Sequence, residues 1–249
     1  MARLENALLP HGRRLVRRNG LRRSSKVICS LAQRSHRQLL AVAAPTYEAY
    51  ARRWGWDVVL STEDLAMGRP IAWAKVQFIT ELLHDYQTVW WIDADAIIVD
   101  LERDILAELQ PGRDLHLAFH AQPGARDNPI PNSGVLLVQR SAWSTEFLAR
   151  LWAQEQFTDH NWWENAALLH LLGYSLDPPF QCSQQLDEHI GTLSADWNSV
   201  PVAGYHEEKS PALWHHARAD HDDFWRRLGE MSANLEATVD RYPHLFESR

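Results

Sequence analysis

Residues 89–92 read Val-Trp-Trp-Ile and run directly into Asp93-Ala94-Asp95, so a segment apolar at every position ends in two carboxylates. An all-apolar strand belongs inside a sheet that is covered on both faces. The preceding segments supply such a sheet. Lys26–Ala32 reads as a first buried strand, and a helix follows from about His36 to Trp54, with a break or restart expected at Pro45, whose ring cannot continue a helix hydrogen bond. Gly55 ends that helix, and Trp56–Leu60 reads as a second strand. Pro70 suits a first helical turn, and Val76, Phe78, Ile79, Leu82 and Leu83 give the next helix an apolar face that runs out near His84 and Asp85. With Val89–Ile92 as third strand, the order is βαβαβ, which predicts an α/β fold with a mostly parallel sheet and helices on both sides.

Further strands are expected at Asp114–His120 and Gly134–Arg140, with the Gly-, Pro- and Asn-rich residues 121–133 forming a loop that covers a site. Ser141 is placed to cap a helix whose Phe147, Leu148, Leu151 and Trp152 face inward, and "WENAALLHLLG" reads as another helix ending at Gly173. Length and a 45% apolar content fit one globular domain, residues 26–249, behind a basic tail, residues 1–25. Residues 1–26 hold eight Lys or Arg and one acid in a chain of net charge −7, so the body is acidic. The tail is expected to be a solvated, flexible leader; a second reading is an arm held by anionic lipid. Nucleic acid is not an expected partner, because the acidic body repels phosphates. Without an apolar run of about 18 residues or a secretory leader, the expected location is cytoplasmic, with peripheral contact at the inner membrane face as the second reading. Cys29 and Cys182 are expected to be buried thiols.

At the carboxyl end of a parallel strand the chain turns into the crevice where α/β proteins bind ligands, and there both side chains of the Asp93–Asp95 pair can converge. Unpaired, the two charges repel and one takes up a proton. A hard divalent cation, Mg²⁺ or Mn²⁺, resolves that conflict and keeps positions open for phosphate oxygens, so the pair points to a metal-bound diphosphate.

The segments around the pair resemble, in order, those of the nucleotide-sugar glycosyltransferases of GT-A fold, most closely the galactosyl/xylosyl/mannosyltransferase family 34. The resemblance rests on "YARRWGWD", on "WAKVQFITELLHDYQTVWWIDADAIIVD", on "PNSGVLLVQRSAWSTEFLARLW" and on "WWENAALLHLLG", spanning roughly Tyr50 to His216. It implies a GT-A domain that transfers a sugar from a UDP- or GDP-sugar to a hydroxyl of a glycan, lipid-linked or small-molecule acceptor, with retention of configuration. It further implies that Asp93 contacts the ribose or the metal, that Asp95 binds the metal, and that Lys75 approaches the donor. Asn132, Ser133 and Gly134 would line the donor sugar, with Gly134 permitting close backbone approach. Glu164 and Asn165 would occupy the acid-amide positions facing sugar or acceptor, and Glu164 or Asp187 would be the base if the enzyme inverted. A late histidine is expected in the metal shell; His215 is favoured, with His216 as rival and His221 nearby. Arg218 stands where the family has glycine and is a candidate phosphate ligand.

The residues also admit a surface lysine at Lys75, an ordinary turn at Asn132–Gly134 and a first-turn helix acid at Glu164. Trp162, Trp163, Trp197 and Trp214 are candidates for stacking on a sugar. Two rival functions remain on sequence alone. An aspartyl-phosphate phosphatase shares the strand-DxD start but generally has Thr or Val four residues after the first Asp, where this chain has Ile97. A non-catalytic sugar- or nucleotide-binding protein is the other, kept open by Trp54 in place of the family histidine and by Arg218.

Overall fold

The computed structural model describes residues 12–16, 24–122, 125–201, 210–217 and 224–247. β1 (Arg13–Val16) is followed by β2 (Lys26–Leu31), α1 (His36–Trp54), β3 (Asp57–Ser61), α2 (Ala74–Leu83) and β4 (Thr88–Ile92). β2 lies between β3 and β4, parallel to both, with Val27 level with Asp57 and Val89. Alternate residues of these strands face opposite ways. Ile28, Val58, Leu60, Trp90 and Ile92 join Leu39, Leu40, Tyr47 and Tyr50 of α1 in one core. Val27, Cys29, Val59, Val89 and Trp91 join Phe78, Ile79 and Leu82 of α2 in the other. The βαβαβ reading is thus realised as a sheet buried on both faces.

After β5 (Ala96–Ile98), β6 (Leu115–Gln122) and β7 (Ala125–Gln139), the chain forms α3 (Ala142–Trp152), α4 (Trp163–Leu171), β8 (Ile190–Thr192), β9 (Leu213–His215) and α5 (Phe224–Arg241). The large sheet runs β1-β3-β2-β4-β7-β6-β8, while β5 and β9 form a separate antiparallel pair. It is mixed: β3, β2 and β4 are mutually parallel, as are β6 and β8, whereas β7 is antiparallel to both neighbours.

Several details differ from expectation for identifiable reasons. α1 is one helix through Pro45, and its long buried face outweighs the roughly 3 kcal/mol an interior proline costs. It ends at Gly55 with φ 73°, where the Gly55 N–H donates to the Ala51 carbonyl. The described residues of the expected loop, 121–122 and 125–133, instead continue β6 and β7; Pro129 and Pro131 argue against strand, yet Pro131 pairs with Phe119 in a short run of pairs bounded by two irregularities of the ladder. Pairing passes from Leu117–Leu136 to Ala118–Asn132, leaving residues 133–135 of β7 without counterparts on β6. A bulge of this kind bends a strand and re-aims its side chains.

Within the basic tail, Arg13–Val16 is an edge strand antiparallel to β3, with Arg13 paired to Glu63 and Glu81 and Arg14 to Glu48 at 2.8 Å. The other tail residues that motivated a lipid-held arm, Arg3, Arg17, Arg18, Arg22 and Arg23, lie outside the described residues. Cys29 is buried as expected, whereas Cys182 is exposed in the segment after α4. No described helix is long and apolar enough to cross a membrane.

Ser141 begins α3 with a reciprocal capping box: its Oγ accepts from Ser144 N, and Ser144 Oγ accepts from Ser141 N, both at 3.0 Å. Ser141→Ala is expected to lower unfolding free energy by about 1 kcal/mol in urea denaturation, and an unchanged midpoint would refute the cap's contribution.

Candidate functional site

β4 hands the chain to the site through one backbone bond, Asp93 N–H to the Gly134 carbonyl at 2.8 Å, and a tight turn follows in which Ala96 N–H donates to the Asp93 carbonyl at 3.0 Å. The buried Tyr47 hydroxyl on α1 donates to the Ala96 carbonyl at 2.6 Å and pins the turn from below. β5 then pairs with β9 so that Ala96 faces His215. Two segments over a hundred residues apart are thereby brought to one point. Asp93, Asp95 and His215 each present one ligand atom, all within 4.8 Å of one another. His215 Nε2 lies 3.5 Å from Asp95 Oδ1 and 3.8 Å from Asp93 Oδ2.

The orientation of the imidazole follows from the hydrogen bonds behind it. Asn132 Oδ1 accepts from Gly134 N–H at 2.8 Å and from Asn198 Nδ2 at 3.1 Å, so Asn198 turns its oxygen to His215 Nδ1 at 2.8 Å. With Nδ1–H donating there, the Nε2 lone pair faces the two carboxylates, the arrangement that outer-shell partners impose on a metal-binding histidine. Two carboxylates and an imidazole nitrogen this close form a donor set that a hard divalent cation suits. Gly134 permits a close approach, but to the protein itself: a Cβ there would fall 2.1 Å from His215 Cε1.

His216 faces elsewhere. Its Nδ1 lies 3.2 Å from Glu230 and its Nε2 3.0 Å from Asn234 Nδ2, both on α5, while its backbone N–H donates to the Asp95 carbonyl at 2.9 Å. Burial pushes its pKa down to about 4 against the pull of Glu230. Burial raises the Asp95 pKa, but the bond and charge of a His215 ring that carries both protons, together with the Arg227 guanidinium, outweigh it and hold the carboxyl below its usual range.

Beside this cluster lies a buried ammonium. Lys75, in the first turn of α2 with only 4% of its side chain exposed, sits 3.0 Å from Asp93 Oδ1 and 2.7 Å from Glu164 Oε1. It also donates to the Ser133 carbonyl at 3.1 Å and Oγ at 3.3 Å. Burial lowers the lysine pKa, yet Asp93 and Glu164 more than offset that and hold it above the usual range. The Glu164 carboxyl is pushed up by burial in spite of Lys75. Its Oε1 also accepts from Ser133 Oγ at 2.9 Å, while its buried Oε2 has no hydrogen-bond partner among the described residues. Asn165 Oδ1 accepts from Ser133 N–H at 2.9 Å. The bulged residues of β7 therefore meet the first turns of α2 and α4.

The structure thus gathers Lys75, Asp93, Asp95, Asn132, Ser133, Gly134, Glu164, Asn165 and His215. Asp187 is not among them. Ile190 pairs with Leu115, Leu115 with Val138, and Val138 with Val89, so Asp187 lies toward the amino end of β4 while Asp93 follows its carboxyl end. There its carboxylate accepts from Trp143 Nε1 at 3.2 Å and His189 N–H at 2.9 Å. Arg218 and His221 lie outside the described residues. Trp197 is fully buried and Trp214 packs against the core, whereas Trp163 is exposed. Trp54 donates Nε1–H to the Leu101 carbonyl at 3.0 Å. Sequence reasoning missed Asn198 and Arg227, whose Nη1 donates to Asp95 Oδ2 at 3.0 Å. Neither belongs to a local motif that signals its role.

Lys75→Met leaves Asp93 and Glu164 without their shared buried cation. It is expected to cost about 3–5 kcal/mol of unfolding free energy in denaturant titration, with part recovered by adding Glu164→Gln. A loss within error of zero would show that the ammonium does not hold the cluster.

Comparison with known proteins places these features in context. Residues 29–116 match the model of the galactosyl transferase GMA12/MNN10 family. The probable glycosyltransferase 7 of Oryza sativa subsp. japonica is 27% identical over 106 residues, 40% of this chain and 23% of that protein. Glycosyltransferase 6 of Arabidopsis thaliana is 29% identical over 106 residues, 40% of this chain and 24% of that protein. Each match therefore spans less than a quarter of the curated relative. Among solved structures, a glycosyltransferase involved in glycosylation of the major capsid of PBCV-1 superposes with TM-score 0.56 at 13% identity, over 84% of this chain and 98% of that one. The galactosyltransferase LgtC, solved with donor and acceptor sugar analogues, gives TM-score 0.53 at 16% identity, over 88% and 99%. The chain therefore has the GT-A glycosyltransferase fold, and its residues 29–116 carry the pattern of the galactosyl transferase GMA12/MNN10 family.

Proposed function

We propose that this chain transfers a sugar from a UDP- or GDP-sugar to the hydroxyl of a glycan, lipid-linked or small-molecule acceptor. The observation that carries the proposal is the convergence of Asp93, Asp95 and His215 at the carboxyl end of β4. Asp95 and His215 would hold a divalent cation, Mn²⁺ or Mg²⁺, with Asp93 on its donor side; such an ion supplies charge stabilisation to the departing diphosphate. Asn198 holds the histidine ring so that Nε2 faces the carboxylates. Lys75 fixes the carboxylates of Asp93 and Glu164 relative to each other, and Ser133 adds a hydroxyl to the same group. Asn132 and Gly134 reach the donor by way of His215, which they pack against and orient.

Glu164 is the acid best placed to face the reacting sugar. Its buried Oε2 has no hydrogen-bond partner among the described residues, and its Oε1 is held by Lys75 and Ser133. With Asp187 at the other end of the sheet, Glu164 is the acid this reading keeps, and the reading adopted is retention by front-face transfer. If Arg218 takes part it does so as a phosphate ligand.

The test is nucleotide release from a panel of UDP- and GDP-sugars, with and without acceptor sugars, in the presence of Mn²⁺ or Mg²⁺. At least one donor is expected to turn over, the activity to vanish with EDTA and return with the metal, and Asp95→Asn to abolish it while the protein stays folded. Turnover that survives EDTA, or an Asp95→Asn variant of undiminished activity, would overturn the reading.

A further inference from the structure

Both aspartates of the cluster already carry a cation belonging to the protein. Asp93 Oδ1 lies 3.0 Å from Lys75 Nζ, and Asp95 Oδ2 accepts from Arg227 Nη1 at 3.0 Å. The two cations are held differently. Lys75 divides its charge between Asp93 and Glu164, whereas the ion pair of Arg227 is with Asp95. Arg227 is 7% exposed, and among the described residues its Nε has no hydrogen-bond partner.

The residue sits in the first turn of α5, and the rest of that helix grips the same place. Arg227, Glu230 and Asn234 follow one another at intervals of three and four, which puts them on one helical face. Glu230 and Asn234 engage the two ring nitrogens of His216, whose backbone N–H donates to the Asp95 carbonyl. α5 therefore reaches Asp95 twice, through its carboxylate and through its main chain.

A guanidinium keeps its charge at any pH a protein survives. A divalent cation entering beside Asp95 thus meets a positive charge on the other oxygen of the same carboxylate. We propose that Arg227 is the resident counter-ion of this site: it holds Asp95 in place before a divalent cation arrives and weakens that cation's binding, so that metal is held firmly only when a diphosphate comes with it. The first half concerns the metal alone; the second rests on the donor reading given above. The arrangement gives a partly buried acid a basic partner from a helix distant in sequence. It also makes cation and anion binding mutually reinforcing, a linkage that must act equally in both directions.

A role confined to orienting Asp95 predicts the opposite sign, since any loss of Arg227 would then loosen a ligand and weaken metal binding. The experiment is calorimetric titration of Mn²⁺ alone into the full chain, unsubstituted and as Arg227→Gln and Arg227→Lys, then repeated with UDP and with GDP. Arg227→Gln keeps a hydrogen-bond donor for Asp95 and removes the charge; it is expected to bind Mn²⁺ alone about tenfold more tightly, the scale on which a neighbouring charge shifts a cation's hold on a carboxylate. Arg227→Lys retains the charge, provides a second folded variant, and is expected to stay near the unsubstituted protein. Nucleotide is expected to raise Mn²⁺ affinity most in the unsubstituted protein and least in Arg227→Gln. Equal or weaker binding of Mn²⁺ alone by Arg227→Gln, or tightening by Arg227→Lys as well, would overturn the counter-ion role. Tightening by Arg227→Gln with neither nucleotide bound by any variant would leave that role standing and overturn the donor reading beneath its second half.

Discussion

A single buried ammonium organises the centre of this protein. Transfer of Lys75 from water to a site with almost no exposure costs several kcal/mol unless the charge is matched and hydrogen-bonded. Asp93 from the turn after β4, Glu164 from α4 and Ser133 from the bulge of β7 supply the match. Four elements are thereby tied to one nitrogen. None can shift without exposing an unpaired charge to the others, which makes the crevice at the end of β4 rigid before any ligand enters it.

The second constraint is the short β5–β9 pair. Pairing of Ala96 with His215 aims one histidine at the aspartates and turns its neighbour toward α5. The Asn132–Asn198 relay then sets the ring so that its free nitrogen points at the carboxylates. Gly134 belongs to this second system: its missing side chain is the space the imidazole occupies. One constraint controls charge and the other controls direction, and they share Asp93 and the bulge of β7.

The apolar strand and the acids that end it were legible because each is a local pattern: Val89–Ile92 has no polar position, and two carboxylates at a strand's carboxyl end have few stable explanations without a cation. Lys75 was legible as a site residue only through family resemblance, since its spacing equally suits a surface helix. His215 and His216 are neighbours, and what separates them is which side of β9 faces β5, a long-range fact. The strand pairing of residues 125–133 was hidden by their prolines, which weigh against strand, although here the run that holds Pro131 is short and bounded by two irregularities of the ladder. Asp187 was drawn toward the site by its chemistry, but the parallel pairing of β8 with β6 carries it to the other end of the sheet. Asn198 and Arg227 act through folding partners distant in sequence, and no local spacing announces them.

The central claim, that the β4 turn and β9 together form a cation site, is tested most directly by the anomalous diffraction of a crystal grown or soaked with Mn²⁺ and a nucleoside diphosphate. The account predicts one strong manganese peak within coordination distance of an Asp95 oxygen and of His215 Nε2, with His216 still bound to Glu230 and Asn234. A peak coordinated by His216, or a fully occupied nucleotide with no manganese at Asp95, would contradict it.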